Sequence, residues 1–143
     1  MPEVGKCKFL ILIIFCLTSC TSKSSSEEMT KEIQNVYSWS ATAHMVGDAW
    51  IHDAVPKKYA QKTLKKAQEE ILKERDNIVK LQTSQQTIQQ HKSLLLSEVL
   101  LLANQTEKIS TAIAQANRAQ VQKSLEELEA ESKALNRLRK IPE

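Results

Sequence analysis

The chain is predicted to be all-α, an up-down four-helix bundle, and three observations carry that expectation. Only 2 Gly and 3 Pro occur in 143 residues, too few to punctuate a strand-and-turn architecture. Apolar residues recur at alternating spacings of three and four from Met29 onward, the 3.5-residue repeat of bundled helices. Phe, Trp and Tyr together make up 4% of the chain, so the core must be largely aliphatic. Apolar content of 41% and charged content of 26% are those of a folded domain and argue against wholesale disorder.

The first helix follows a short polar tether, Thr21 to Ser26. Ser25 and Glu28 have the spacing of a capping box, and Glu27 and Glu28 suit the positive end of the helix dipole. Its inward stripe reads Met29, Ile33, Val36, Ser40, Ala43, Gly47, Trp50 and Ala54. Pro56 ends that helix, because the residue before a proline is pushed out of helical geometry, and it is acceptable at the start of the next. The second helix carries Ala60, Leu64, Ala67, Ile71, Ile78 and Leu81. A polar stretch, Gln82 to Thr87, interrupts the pattern, with Thr83 and Gln86 spaced as another capping box. The third stripe runs through Ile88, Leu95, Val99, Leu102, Ile109, Ile113 and Ala116. Leu94, Leu96, Leu100 and Leu101 widen it, so this helix is expected to be the most buried. The phase slips by one at Asn117-Arg118, and Asn tolerates the left-handed conformation a break requires. The fourth stripe is Val121, Leu125, Leu128, Leu135 and Leu138, in a helix running to about Ile141. Its acids (Glu126, Glu127, Glu129, Glu131) precede its bases (Lys133, Arg137, Arg139, Lys140), in agreement with the dipole.

The stripe from Ala60 to Ala116 keeps a single phase, which leaves a second architecture open. An unbroken helix of that length would give a long antiparallel coiled-coil rod about 90 Å in extent. A turn near Thr83–His91 instead yields helices matched in length, as a bundle requires.

The N-terminus has a different character. Lys6 and Lys8 precede an apolar run, Phe9 to Leu17, that is far short of the ~20 residues a membrane-spanning helix needs. A positive start, a short apolar run and small residues form the layout of a secretory signal. The run closes on Leu17-Thr18-Ser19-Cys20, which resembles the lipobox of bacterial lipoproteins. The resemblance implies cleavage after Ser19 and a lipid, with its fatty acyl chains, on Cys20, the chain's attachment to a membrane. It divides the chain into a cleaved signal (1–19), a lipidated Cys with flexible tether (20–26) and a helical domain (27–143). Cys7 and Cys16 leave with the signal, so no internal disulfide is expected. Thr21 stands where such lipoproteins carry Asp when retained in the inner membrane, which favours the outer membrane if the source has two.

No catalytic motif is found: no Gly-rich phosphate loop, no Gly-x-Ser-x-Gly, no His-Glu-x-x-His and no Glu-x-x-His. Neither catalytic residues nor a cofactor is expected. His44, Asp48 and His52 recur every four residues on one side of the first helix, a set that suits Zn²⁺ if a further ligand came from elsewhere. The small residues Ser40, Ala43, Gly47 and Ala54 form a row read as close helix packing, or as a slot for a ligand or a partner helix beside Trp39 and Trp50. Lys57, Lys58, Lys62, Lys65 and Lys66 open the second helix without an intervening acid, against the dipole. They form a candidate contact for an acidic envelope protein or an anionic envelope polymer. A net charge of +3 is too weak to indicate nucleic-acid binding. The expected function is that of a membrane-anchored, non-catalytic envelope adaptor; a small-ligand or metal-binding bundle is the alternative, and the oligomeric state stays open.

Overall fold

The computed structural model describes residues 25–139. The lipobox-like Leu17–Cys20 and residues 21–24 of the expected tether lie outside the described residues. The described residues form four antiparallel helices: α1 (Ser25–Ile51), α2 (Lys57–Lys80), α3 (Gln86–Ala114) and α4 (Arg118–Leu138). Each packs on its successor, and α4 closes the ring against α1. The architecture is the up-down four-helix bundle. The rod does not form, because the chain reverses through residues 81–85 between α2 and α3.

The core is built by the periodic stripes. Met29, Ile33, Val36 and Ala43 of α1 meet Leu64, Ala67, Ile71 and Ile78 of α2, with Leu95, Val99, Leu102 and Ile109 of α3 and Val121, Leu125, Leu128 and Leu135 of α4. Removing these side chains from water supplies the main stabilisation, since isolated helices of this length are marginal. Gly47 marks the closest approach. A Cβ built there would stand 2.8 Å from Leu125 Cδ2 and 3.2 Å from Ile109 Cγ2, so two neighbouring helices occupy the space a side chain would take. The small-residue row is therefore packing around Gly47; Ala54 drops out of it because it is exposed beyond the helix end.

The helix ends depart from the sequence expectation. α1 already includes Ser25 and Ser26, two residues of the polar stretch expected to form the tether. It stops at Ile51 instead of Pro56. There Asp53 takes φ 57°, its N–H donates to Trp50 O at 3.1 Å, and Ala54 N–H donates to Ala49 O at 2.8 Å. This pair of bonds is a Schellman motif, which satisfies the orphan carbonyls of the last turn. The end of α3 repeats it, with Ala116 N–H to Ile113 O (3.0 Å) and Asn117 N–H to Ala112 O (2.9 Å). The left-handed residue there is Ala116 (φ 53°), not Asn117, and Ala116 is exposed instead of continuing the stripe. Asn117 instead caps α4, its side chain accepting from Gln120 N–H at 3.1 Å. The Thr83/Gln86 capping box is not formed: Gln85 occupies the cap position without a side-chain bond. Thr83 acts through its carbonyl, which accepts from Gln89 Nε2 at 3.0 Å. Leu94, Leu100 and Leu101 are 56%, 43% and 41% exposed, so three of the four leucines that widen the third stripe face outward, while Leu96 is partly buried against the core.

An alanine held at positive φ is strained by roughly 1–2 kcal/mol, a strain glycine escapes. Ala116→Gly should accordingly raise the unfolding free energy by about 1 kcal/mol, after allowance for glycine's freer unfolded chain. Urea unfolding followed by circular dichroism checks this; a variant less stable than the parent would contradict it.

Candidate functional site

The five lysines at the start of α2 divide into two sets. Lys57 Nζ donates to Ala114 O, the last residue of α3, at 2.5 Å. Lys66 Nζ pairs with Glu70 at 2.5 Å and Lys65 with Glu69 at 4.0 Å, both one turn along the same helix. The hydrogen bond to Glu70 holds the Lys66 ammonium above its ordinary value. Lys58 and Lys62 are exposed and make no ion pair among the described residues. Tyr59, 55% exposed, lies between them in sequence. Positive charge at a helix start opposes the helix's own dipole, and for Lys57 the reason is now visible: it neutralises the negative end of the neighbouring antiparallel helix.

Side chains of a neighbouring helix reach the carbonyls at the other three described helix C-termini as well. Arg118, at the start of α4, donates to Ile51 O, pairs with Asp53 Oδ1 at 2.5 Å and lies 5.3 Å from the ring centre of Trp50. Lys92, near the start of α3, donates to Val79 O and Leu81 O, both at 2.7 Å, at the end of α2. The largely buried His91 shares a 2.6 Å hydrogen bond with Leu138 O at the end of α4. Four orphan carbonyl ends are thus closed by side chains opening a neighbouring helix.

The His44/Asp48/His52 row is not brought together as a ligand set. His52 Nδ1 lies 2.9 Å from Asp48 O and 3.6 Å from Asp48 Oδ1, with both side chains mostly exposed. His44 instead turns towards α4, into a groove of about 290 Å³ shared with Tyr37, Met45, Glu129 and Ser132. Among the described residues no three His, Cys, Asp or Glu side chains stand close enough to share a metal ion. One helix spreads residues four apart along its axis, so closing a coordination sphere needs ligands from a second helix.

Two inter-helix carboxyl pairs have no counterpart among the sequence expectations. Glu74 of α2, 6% exposed, faces Glu32 of α1, and Asn77 Nδ2 bridges them at 3.1 Å and 3.3 Å. Burial, reinforced by Glu32, pushes the Glu74 carboxyl above the usual range, while Asn77 and Asn35 pull it back. Glu98 of α3 is raised likewise by burial and by Glu131 of α4. The visible signal was Glu74 at a core position of the second stripe, between Ile71 and Ile78. A carboxyl raised in the folded state contributes its full stability below the unfolded value, near 4.5, and loses it as pH rises through the folded value. Glu74→Gln and Glu98→Gln should therefore gain stability over the parent at neutral pH, with the gain shrinking as pH falls toward 4.5. Urea unfolding at a series of pH values tests this; a gain that does not depend on pH would contradict it.

No protein-family model matches the chain, and no curated protein or solved structure proves similar to it. No described helix is long and apolar enough to cross a membrane.

Proposed function

We propose that the chain is an envelope lipoprotein, attached to a membrane through Cys20, whose bundle serves as a non-catalytic adaptor for an acidic partner. The observation that supports the adaptor reading is the division of the lysines: Lys57, Lys65 and Lys66 are engaged within the bundle, while Lys58 and Lys62 stand free beside Tyr59. These two cations are at the end of the bundle opposite the start of α1, about 40 Å from the point where the tether enters. An anchor at one end and unpaired charge at the other suit a protein that presents a contact surface at a distance from its own point of attachment. The anchor rests on the lipobox-like Leu17–Cys20 and on the polar link that joins Cys20 to α1.

Two substitutions test the two halves separately. Cys20→Ser should abolish incorporation of radiolabelled fatty acid, and undiminished labelling would remove the anchor. Lys58→Glu with Lys62→Glu should reduce recovery of in-cell crosslinked partners by about tenfold at low ionic strength, with labelling and helicity unchanged. Unaltered recovery would make the lysines an ordinary solvated face.

A further inference from the structure

We propose that the α1/α4 face is a self-association surface, on which a second copy of the chain docks antiparallel about a two-fold axis passing beside Ala41 and Ser132. The two residues line the same groove and so stand at the same height on neighbouring helices. Arg139 and Asn136 share the adjoining groove with Gln34 and Ser38, which fixes the same register lower down.

About that height the face is complementary to itself. On α1, Tyr37 and Met45 are the exposed large apolar groups, at 46% and 63%, and each lies four residues from Ala41. Turning a second α1 end for end lays Tyr37 against Met45 of the other copy, while the small Ala41 lets the helices approach. Gln34 falls opposite Asp48, an amide against a carboxylate. On α4 the exposed Glu126 and Glu129 lie above the axis and the exposed Lys133 and Arg137 below it, while Lys123, also exposed above the axis, is held by Glu127 of its own helix at 3.9 Å. Glu126 lies as far above the midpoint between Glu131 and Ser132 as Arg137 lies below it, so antiparallel pairing sets each Glu126 against an Arg137. Arg137 makes no ion pair among the described residues of its own chain, and Glu126 is engaged only by Gln122 Nε2 at 3.2 Å. Glu129 and Lys133, paired within the helix at 2.6 Å, meet their counterparts in reversed order beside the axis. The apolar contacts and the charge pairs come from different helices and independently select one centre. A two-fold interface requires a patch that matches its own inversion, and this face has it. The axis lies across the helices and within the interface, so it can stand along a membrane normal and leave each copy its own anchor.

The test uses the full-length protein in detergent micelles, with cysteines introduced one at a time and the parent chain treated alongside. Ala41→Cys should give a dimer with a short bis-maleimide crosslinker. Asp76→Cys, on the exposed side of α2, should not. Glu126→Arg should lower the dimer fraction measured by light scattering by roughly tenfold, and adding Arg137→Glu to it should restore the parent value. Circular dichroism verifies that every variant is folded. A monomer at all concentrations overturns the proposal. So does a dimer that crosslinks through Asp76→Cys and not Ala41→Cys, or one that the charge exchange fails to restore.

Discussion

Ile109→Ala should lower the unfolding free energy by about 2–5 kcal/mol, the range for a fully buried aliphatic side chain cut back in a close-packed core. Ile109 is 0% exposed and its Cγ2 lies against the space above Gly47. Gly47→Ala alone inserts a methyl at 2.8 Å from Leu125 Cδ2 and 3.2 Å from Ile109 Cγ2. Overpacking of that kind costs about 1–3 kcal/mol, while replacing a mid-helix glycine returns up to about 1 kcal/mol. The single variant should thus be less stable by about 1 kcal/mol. Combined with Ile109→Ala, the added methyl enters the space the isoleucine vacated, and the double variant should be more stable than the sum of the singles by at least 0.5 kcal/mol. Urea unfolding of the four proteins closes the cycle. Additivity within experimental error would mean that Gly47 is not a packing notch.

Arg118→Ala carries the second large effect, about 1–2 kcal/mol. The exposed ion pair to Asp53 contributes little by itself, since surface pairs are screened by water. The hydrogen bond to Ile51 O and the contact with the Trp50 ring contribute the remainder, because the first closes an orphan carbonyl and the second lies against a residue 8% exposed. Lysine has no planar fork with which to make all three contacts, so Arg118→Lys should recover less than half of the loss. Hydrogen exchange gives a local check, for the amides of Asp53 and Ala54 should exchange faster in the alanine variant while those of α2 do not. Equal acceleration throughout the bundle would assign Arg118 a merely global role.

The inward positions were legible because burial in a helical bundle is a property of each helix alone. Leu64, Ile71, Leu102, Leu128 and their neighbours follow a 3.5-residue repeat that can be counted without knowing what lies opposite. The break between α3 and α4 was equally visible as a slip of that repeat. The residue that turns the chain was not: the left-handed conformation fell on Ala116, where composition pointed to Asn117. A Schellman end is set by which carbonyls need closing, and that requirement outweighed the intrinsic preference of one residue. The candidate site was legible only as composition. The lysine cluster was visible, but not that Lys57 serves α3 while Lys58 and Lys62 remain free.

The sequence by itself thus determined the helices, their order and the side each turns inward. It also carried the features that suggest an anchor at Cys20, beyond the described residues. Tertiary structure alone decided which polar groups meet. Arg118 reaches Ile51 across 67 residues, His91 reaches Leu138 across 47 and Asn77 reaches Glu32 across 45. The physical reason lies in what sets each contact. Burying an apolar side chain is non-directional and tolerates small shifts along a helix. A hydrogen bond or ion pair needs its partner within about 3 Å. That registration comes from the packing of one helix's ridges into another's grooves, which no single stretch of sequence contains.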